Sequence, residues 1–158
     1  MTMEYTDTDV RKDVSAMSFR EKLERVDQIH RAITRATGRI EFLKLSAERA
    51  NSRLTPVRYG RGVEHSRVEY AVLESDAEKW GVEELKTELA LLMDSVGPLV
   101  ERLPAGLLRA IATQRILEGV PCGLIGRRMH FSRGYVYRLL NQADDRLCEL
   151  VAAKGSRV

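Results

Sequence analysis

A seven-residue apolar repeat runs through the first third of the chain and narrows what it can fold into. Phe19, Leu23, Val26, His30, Ile33, Thr37, Ile40, Lys44, Ala47, Ala50 and Leu54 lie alternately four and three residues apart, and Ile29, Ala36 and Leu43 widen the stripe. Charged residues fill the positions between, as in Glu21-Lys22-Leu23-Glu24-Arg25. This is the a/d seam of a long helix that packs along its length on another helix. About 30 residues at 1.5 Å per residue make a rod about 45–50 Å long.

The stretch from Ser52 to Ser66 breaks the repeat, with Pro56, Gly60 and Gly62 as turn signals. A second helix is expected from near Ser66 to about Val96. Its seam is Val68, Val72, Ser75, Lys79, Val82, Leu85 or Lys86, Leu89, Leu92 and Val96. Trp80-Gly81, just after Ser75-Asp76-Ala77-Glu78, marks a kink or restart, and Gly97-Pro98 a hinge into the remaining helices over Leu99–Glu118. Residues 1–16 are polar, rich in Thr and Asp, and without an apolar period, so they are expected to be a disordered tail. The domain organisation expected is therefore a tail over 1–16, an oligomerising helical hairpin over 17–97 and a small helical domain over 98–153. The fold class is all-α.

Neither long helix buries enough surface alone. They can close on each other, on a second chain, or both, and a homo-oligomer of two or more copies is the expected partner state. No apolar run approaches 18 residues, so no membrane span is expected, and the N-terminal stretch lacks the basic and apolar regions of a signal peptide. A cytoplasmic protein is the expectation. Cys122 and Cys148 are far apart and read as reduced side chains, while His30, His65 and His130 show no metal-ligand spacing. There is no phosphate-binding Gly-rich loop and no nucleophile elbow, and the acidic residues sit where helical i,i+4 pairing accounts for them. No catalytic residue, cofactor or metal is expected.

Charge is unevenly distributed. Residues 1–98 hold 16 basic and 18 acidic residues, whereas residues 99–158 hold 10 basic and 5 acidic. The basic excess coincides with Val120–Leu150, which reads as a helix, a tight turn and a second helix. Pro121 suits the first helical position, and Leu124, Ile125 and Met129 give the short helix an apolar side. His130 and Phe131 fall at the turn, and Ser132 is a good N-cap. Val136, Leu140, Ala143, Leu147 and Leu150 then form one stripe toward a core. The other face carries Gly134, Tyr135, Arg138, Asn141 and Gln142, side chains suited to base edges and a glycine that permits close approach. Arg127, Arg128, Arg133 and Arg138 occur between Pro121 and Ala143 without one acidic residue. These residues, with Ser132 as a phosphate donor at the helix N-terminus, are the candidate DNA contacts.

The run from Leu103 to Leu139 resembles the C-terminal helix-turn-helix of sigma-70-type factors (region 4). It is closer still to phage transcriptional regulators of the ArpU and RinA type. The shared pattern is Leu117-Glu118-Gly119, then Ile125 with Met129, then Ser132, Tyr135, Val136, Arg138 and Leu139. It covers about the last third of the chain, and the helices before it only in outline. Cys122-Gly123-Leu124 stands where relatives usually carry acidic residues, and His130 where they usually carry Gly. The resemblance implies a sequence-specific activator of phage or prophage late genes, working on double-stranded DNA in the host bacterial cytoplasm and in contact with host RNA polymerase. The alternative is a DNA-recognition and assembly subunit such as a small-terminase-like packaging protein. A sigma-like or anti-sigma module acting through protein contacts alone is a third.

Overall fold

The computed structural model describes residues 7–52 and 63–155. Among them are six α-helices and no strand: α1 (Asp7–Ala16), α2 (Phe19–Ser52), α3 (Val63–Glu101), α4 (Leu107–Ala112), α5 (Cys122–Met129) and α6 (Arg133–Gly155), with a π-helical turn over Thr113–Leu117. The protein is all-α, and both long helices are present. No described helix is long and apolar enough to cross a membrane. The turn signals Pro56, Gly60 and Gly62 lie outside the described residues.

Helix α2 begins with a capping box. Ser18 Oγ accepts the Glu21 N–H at 3.3 Å, and the Glu21 carboxylate accepts the Ser18 N–H at 2.6 Å. Hydrogen bonding from the Ser18 hydroxyl, and then from its backbone N–H, holds the Glu21 carboxyl below its ordinary range. Before it, the expected disordered tail is helical from Asp7 to Ala16, with Val14 buried. Two valines four residues apart, Val10 and Val14, are too short a pattern to register as a period, yet one buried side chain anchors a helical turn.

Contacts divide the chain into two units. One combines the described residues up to His30 with those from Glu88 onward, and the other is Arg31–Thr87. The expected boundary at residue 97 is therefore displaced, because the division falls inside α2 and α3. Periodicity reveals that a face is covered, not which part of the chain covers it.

In the first unit, Leu23, Val26 and Ile29 of α2 and Leu92, Val96, Leu99 and Val100 of α3 are buried. Arg25 of α2 makes a two-pronged bond to Glu88 of α3, at 2.6 and 2.8 Å. Gly97-Pro98 is no hinge. Helix α3 continues to Glu101 with Pro98 inside it. Pro98 removes one backbone donor in the last turns, and burial of Leu99, Val100 and Leu103 holds the helix together beyond it.

In the second unit, α2 and α3 are joined by Arg39, whose guanidinium pairs with Glu74 and, at 3.2 Å, with Glu78. Leu43, Ser75 and Val82 are its buried side chains among the described residues. The seam departs from a strict seven-residue repeat: Thr37, Lys44 and Lys79 are exposed, while Ala36, Leu43 and Glu78 turn inward. A straight helix drifts about 20° per heptad against such a repeat, which moves the covered line by one residue. Helix α3 also runs unbroken through Trp80-Gly81. One interior glycine costs only about 1 kcal/mol relative to Ala.

Candidate nucleic-acid interface

The C-terminal helices are positioned by α6, which packs on α4 and α5. Val136, Ala143 and Leu147 are fully buried, Leu139 and Leu140 nearly so, and Leu150 partly. Ile111, Cys122 and Ile125 complete that core, with Leu107, Leu108, Val120, Met129, Phe131 and Tyr135 at its margin. The apolar side of α5 differs from expectation at one residue: Leu124 is exposed, and Cys122 and Gly126 are buried with Ile125. The buried arc of α5 runs through Cys122, Ile125 and Gly126, and Leu124 lies about 100° round from Ile125 on the side away from Gly126, outside that arc.

Pro121 serves as the N-cap of α5 with an extended ψ of 141°, one residue before the position expected for it. At the other end, His130 takes the left-handed conformation (φ 59°, ψ 37°), and the Phe131 N–H donates to the Gly126 carbonyl at 2.8 Å. That bond closes a Schellman-type turn and ends the helix. It also explains Gly126, which weakens α5 as a helix: a Cβ there would sit 2.6 Å from the Phe131 carbonyl oxygen. Ser132 then caps α6, its hydroxyl accepting the Tyr135 N–H at 3.2 Å.

A π-helical turn and Gly119 lead into this unit, and α2 clamps them. His30 Nε2 lies 2.9 Å from the Ile116 carbonyl oxygen, and Asp27 pairs with Arg115. Arg115 also donates to the Val120 carbonyl at 3.3 Å. Gly119 has a φ of 69°, and a Cβ on it would come within 2.4 Å of the His30 ring. Both the conformation and the space require glycine there.

The expected DNA-contacting residues lie on α5, in the turn and on α6. Arg127, Arg128, Ser132, Arg133, Gly134, Arg138, Asn141 and Gln142 are exposed, and Tyr135 is half-buried. At 100° per residue, Gly134, Arg138 and Asn141 point directly away from the buried stripe through Val136, Ala143 and Leu147. Tyr135 packs edge-to-face on Phe131 with centroids 5.0 Å apart, so its ring supports the turn. The Arg138 guanidinium lies over that same ring at 5.6 Å. Arg133 lies 5.6 Å over the ring of Tyr137 and donates to its hydroxyl at 3.3 Å, which raises the arginine's pKa further. Tyr137 is absent from the sequence-derived set. Its position four residues after Arg133, and next to Arg138, is the signal that marks it.

These ring contacts place two guanidiniums without neutralising them. Arg127 and Arg128 occupy the last turn of α5, where cations also complement the helix dipole. The first acidic residues of α6 come a turn beyond Asn141. Asp145 is paired with Arg20 of α2 at 3.2 Å, and Asp144 is half-buried beside it. Burial pushes the Asp144 carboxyl up to about 6, with Arg20 opposing the shift and Asp145 and Asp27 adding to it.

Among the described residues no group of three or more His, Cys, Asp or Glu is placed to hold a metal ion. Cys122 is buried, Cys148 is half-buried, and both are free. No protein-family model, curated protein or solved structure matches this chain.

Proposed function

We propose that the chain is a sequence-specific, DNA-binding transcriptional regulator whose α6 enters the major groove of double-stranded DNA. One observation carries the reading: the face of α6 opposite its buried stripe presents Gly134, Arg138 and Asn141, and the exposed Arg127, Arg128 and Arg133 precede them with no acidic residue between Pro121 and Asp144. Arg is suited to the guanine edge and Asn to the adenine edge, and a glycine lets the backbone approach. Ser132 and the start of α6 suit a phosphate oxygen, and the arginines of α5 suit the backbone of the strand it crosses. A helix, a three-residue turn and a longer helix in this order are the parts that such docking uses. The resemblance of Leu103–Leu139 to the ArpU and RinA regulators adds late-gene activation in a phage or prophage, with RNA polymerase as a protein partner.

The test is enrichment of fragments of the source genome on the purified chain at about 0.15 M salt, a concentration that suppresses non-specific binding. One fragment class should be retained, and Arg138→Ala should retain it more weakly and with its preference relaxed. Three arginine–phosphate contacts per chain, from Arg127, Arg128 and Arg133, predict a log–log salt slope of about −2 to −3 per protomer. Retention without preference among fragments would remove the sequence-specific reading. A retained site beside a packaging origin rather than a promoter would replace the regulator with a packaging subunit.

A further inference from the structure

The Arg31–Thr87 unit carries two apolar stripes that its own packing leaves uncovered. On α2, Phe42 and Leu45 are 67 % and 53 % exposed; on α3, Tyr70, Leu73 and Trp80 are 68 %, 70 % and 73 % exposed. They are not scattered. Phe42 and Leu45 continue a four-and-three spacing that starts at Arg31, Arg35 and Gly38 and ends at Arg49, every member exposed. Tyr70, Leu73, Ala77, Trp80 and Glu84 form a second such line, also exposed throughout. At 100° per residue each line lies roughly opposite the side its helix turns toward Leu43, Ser75 and Val82. Both helices therefore expose large apolar side chains on a side away from that seam.

The two outer stripes differ in charge. The α2 line is basic, through Arg31, Arg35 and Arg49. Glu41 and Glu48 lie at its border. The α3 line includes Glu84 and is bordered by Glu69, Asp76 and Glu83, the last two paired with Lys79 and Lys86 of the same helix, and it is the more acidic of the two. Like stripes would bring like charges together; unlike stripes would bring opposite ones. Phe42, Tyr70 and Trp80 are each about two-thirds to three-quarters exposed, so at 150–250 Å² per aromatic side chain they offer roughly 300–500 Å² together. That is about a fifth to a third of the roughly 1,600 Å² of a standard interface, before Leu45, Leu73 and the arginine stems are counted.

We infer that the outer stripe of α2 in one copy of this chain packs on the outer stripe of α3 in a second copy. The occupant is the chain itself because the complementary stripe is present on every copy. Pairing unlike faces leaves an α2 face open at one end and an α3 face at the other. Association therefore continues past two copies until a ring closes or an open array forms. It does not depend on DNA binding, so it stands or falls separately from the regulator reading.

The experiment is light scattering on the full chain with two double variants, Phe42→Glu/Leu45→Glu and Leu73→Glu/Trp80→Glu. All four positions are exposed, and circular dichroism checks that helicity is kept. Wild type should show a mass above the monomer that rises with concentration. Each variant alone should be monomeric, its self-association weakened at least about thirtyfold, the loss typical of a truncated aromatic anchor at the centre of an interface. Mixed in equal amounts, the two variants should form a one-to-one complex that grows no further, since each retains the face the other lacks. A monomeric wild type at about 100 µM, far above the dissociation constant of a specific assembly, would overturn the inference. So would either variant assembling alone, or no complex in the mixture.

Discussion

Between Leu23 and Ile29, helix α2 turns three side chains inward to 7 % exposure or less; between Phe42 and Leu45 it buries only Leu43 and leaves two large apolar neighbours in solvent. The same contrast runs along α3. Leu92, Val96 and Val100 are fully covered, whereas Tyr70, Val72, Leu73 and Trp80 are half or more exposed. An open groove of about 300 Å³ beside Ile40, Leu43, Ala47, Val72 and Ser75 adds to the difference. One pair of helices thus belongs to two regimes. In the first unit, α2 and α3 share one compact body with four other helices. In the second unit, helix propensity, Arg39 and a thin seam do most of the holding. Regions with few buried apolar contacts open at lower free energy than the global transition, and they are the ones that a partner can complete.

The largest effects should separate the units. Ile125→Ala or Leu147→Ala removes a fully buried side chain and should cost about 3–4 kcal/mol, while Leu43→Ala, at a thinner seam, should cost less than about 2. Denaturant midpoints of the three variants at low protein concentration give the comparison, and equal losses would break it. Glycines sharpen it next. Gly119→Ala meets a positive φ and the His30 ring, and should destabilise by about 2–3 kcal/mol. Gly38→Ala and Gly81→Ala in the second unit meet nothing within 4 Å and should stabilise by about 0.5–1 kcal/mol.

A smaller effect should appear with pH. Asp144 has a folded pKa of about 6 against an ordinary 3.8, so folding favours its protonated form. That contribution is complete below about pH 4 and is lost as the pH rises through about 6, lowering stability by at most about 3 kcal/mol, and by about 1–2 once solvent screening of the half-buried carboxyl is allowed for. Asp144→Asn should therefore melt higher than the parent at pH 7.5 and match it near pH 4. An unchanged difference across that range would remove burial as the cause. The smallest change is the most informative about function. Gly134 is exposed in α6, and a Cβ added to it would meet nothing within 4 Å, so Gly134→Ala should raise stability by about 0.5–1 kcal/mol. If the bare backbone at Gly134 serves approach to DNA, the same variant should bind its site more weakly. A variant gaining both stability and affinity would make Gly134 an ordinary surface residue.

Much of this was legible in the residues. The two long helices follow from their repeats, and the turn follows from Ser132, the apolar stripe of α6 and a residue at His130 that stands where glycine is usual. What was missed depends on residues distant in sequence. The pairings of His30 with Ile116, Asp27 with Arg115 and Arg20 with Asp145 join α2 to the C-terminal helices across 86 to 125 residues. No local period encodes them, and they are why the boundary falls near His30 and Glu88 rather than at Gly97-Pro98. Gly126 reads locally as a weak helix former and proves to be the point where the turn passes closest. Tyr137 was lost because it borders the outward face of α6 and carries no charge, although its ring and hydroxyl position Arg133.

The most direct test of DNA reading by α6 is selection of bound duplexes from a random-sequence pool, run with the parent chain and with Arg138→Ala. A defined motif is expected for the parent. For Arg138→Ala the same motif should emerge with preference relaxed at one base pair and affinity lowered by about 1–3 kcal/mol. No motif for the parent, or an identical motif at undiminished affinity for the variant, would contradict DNA reading by this helix.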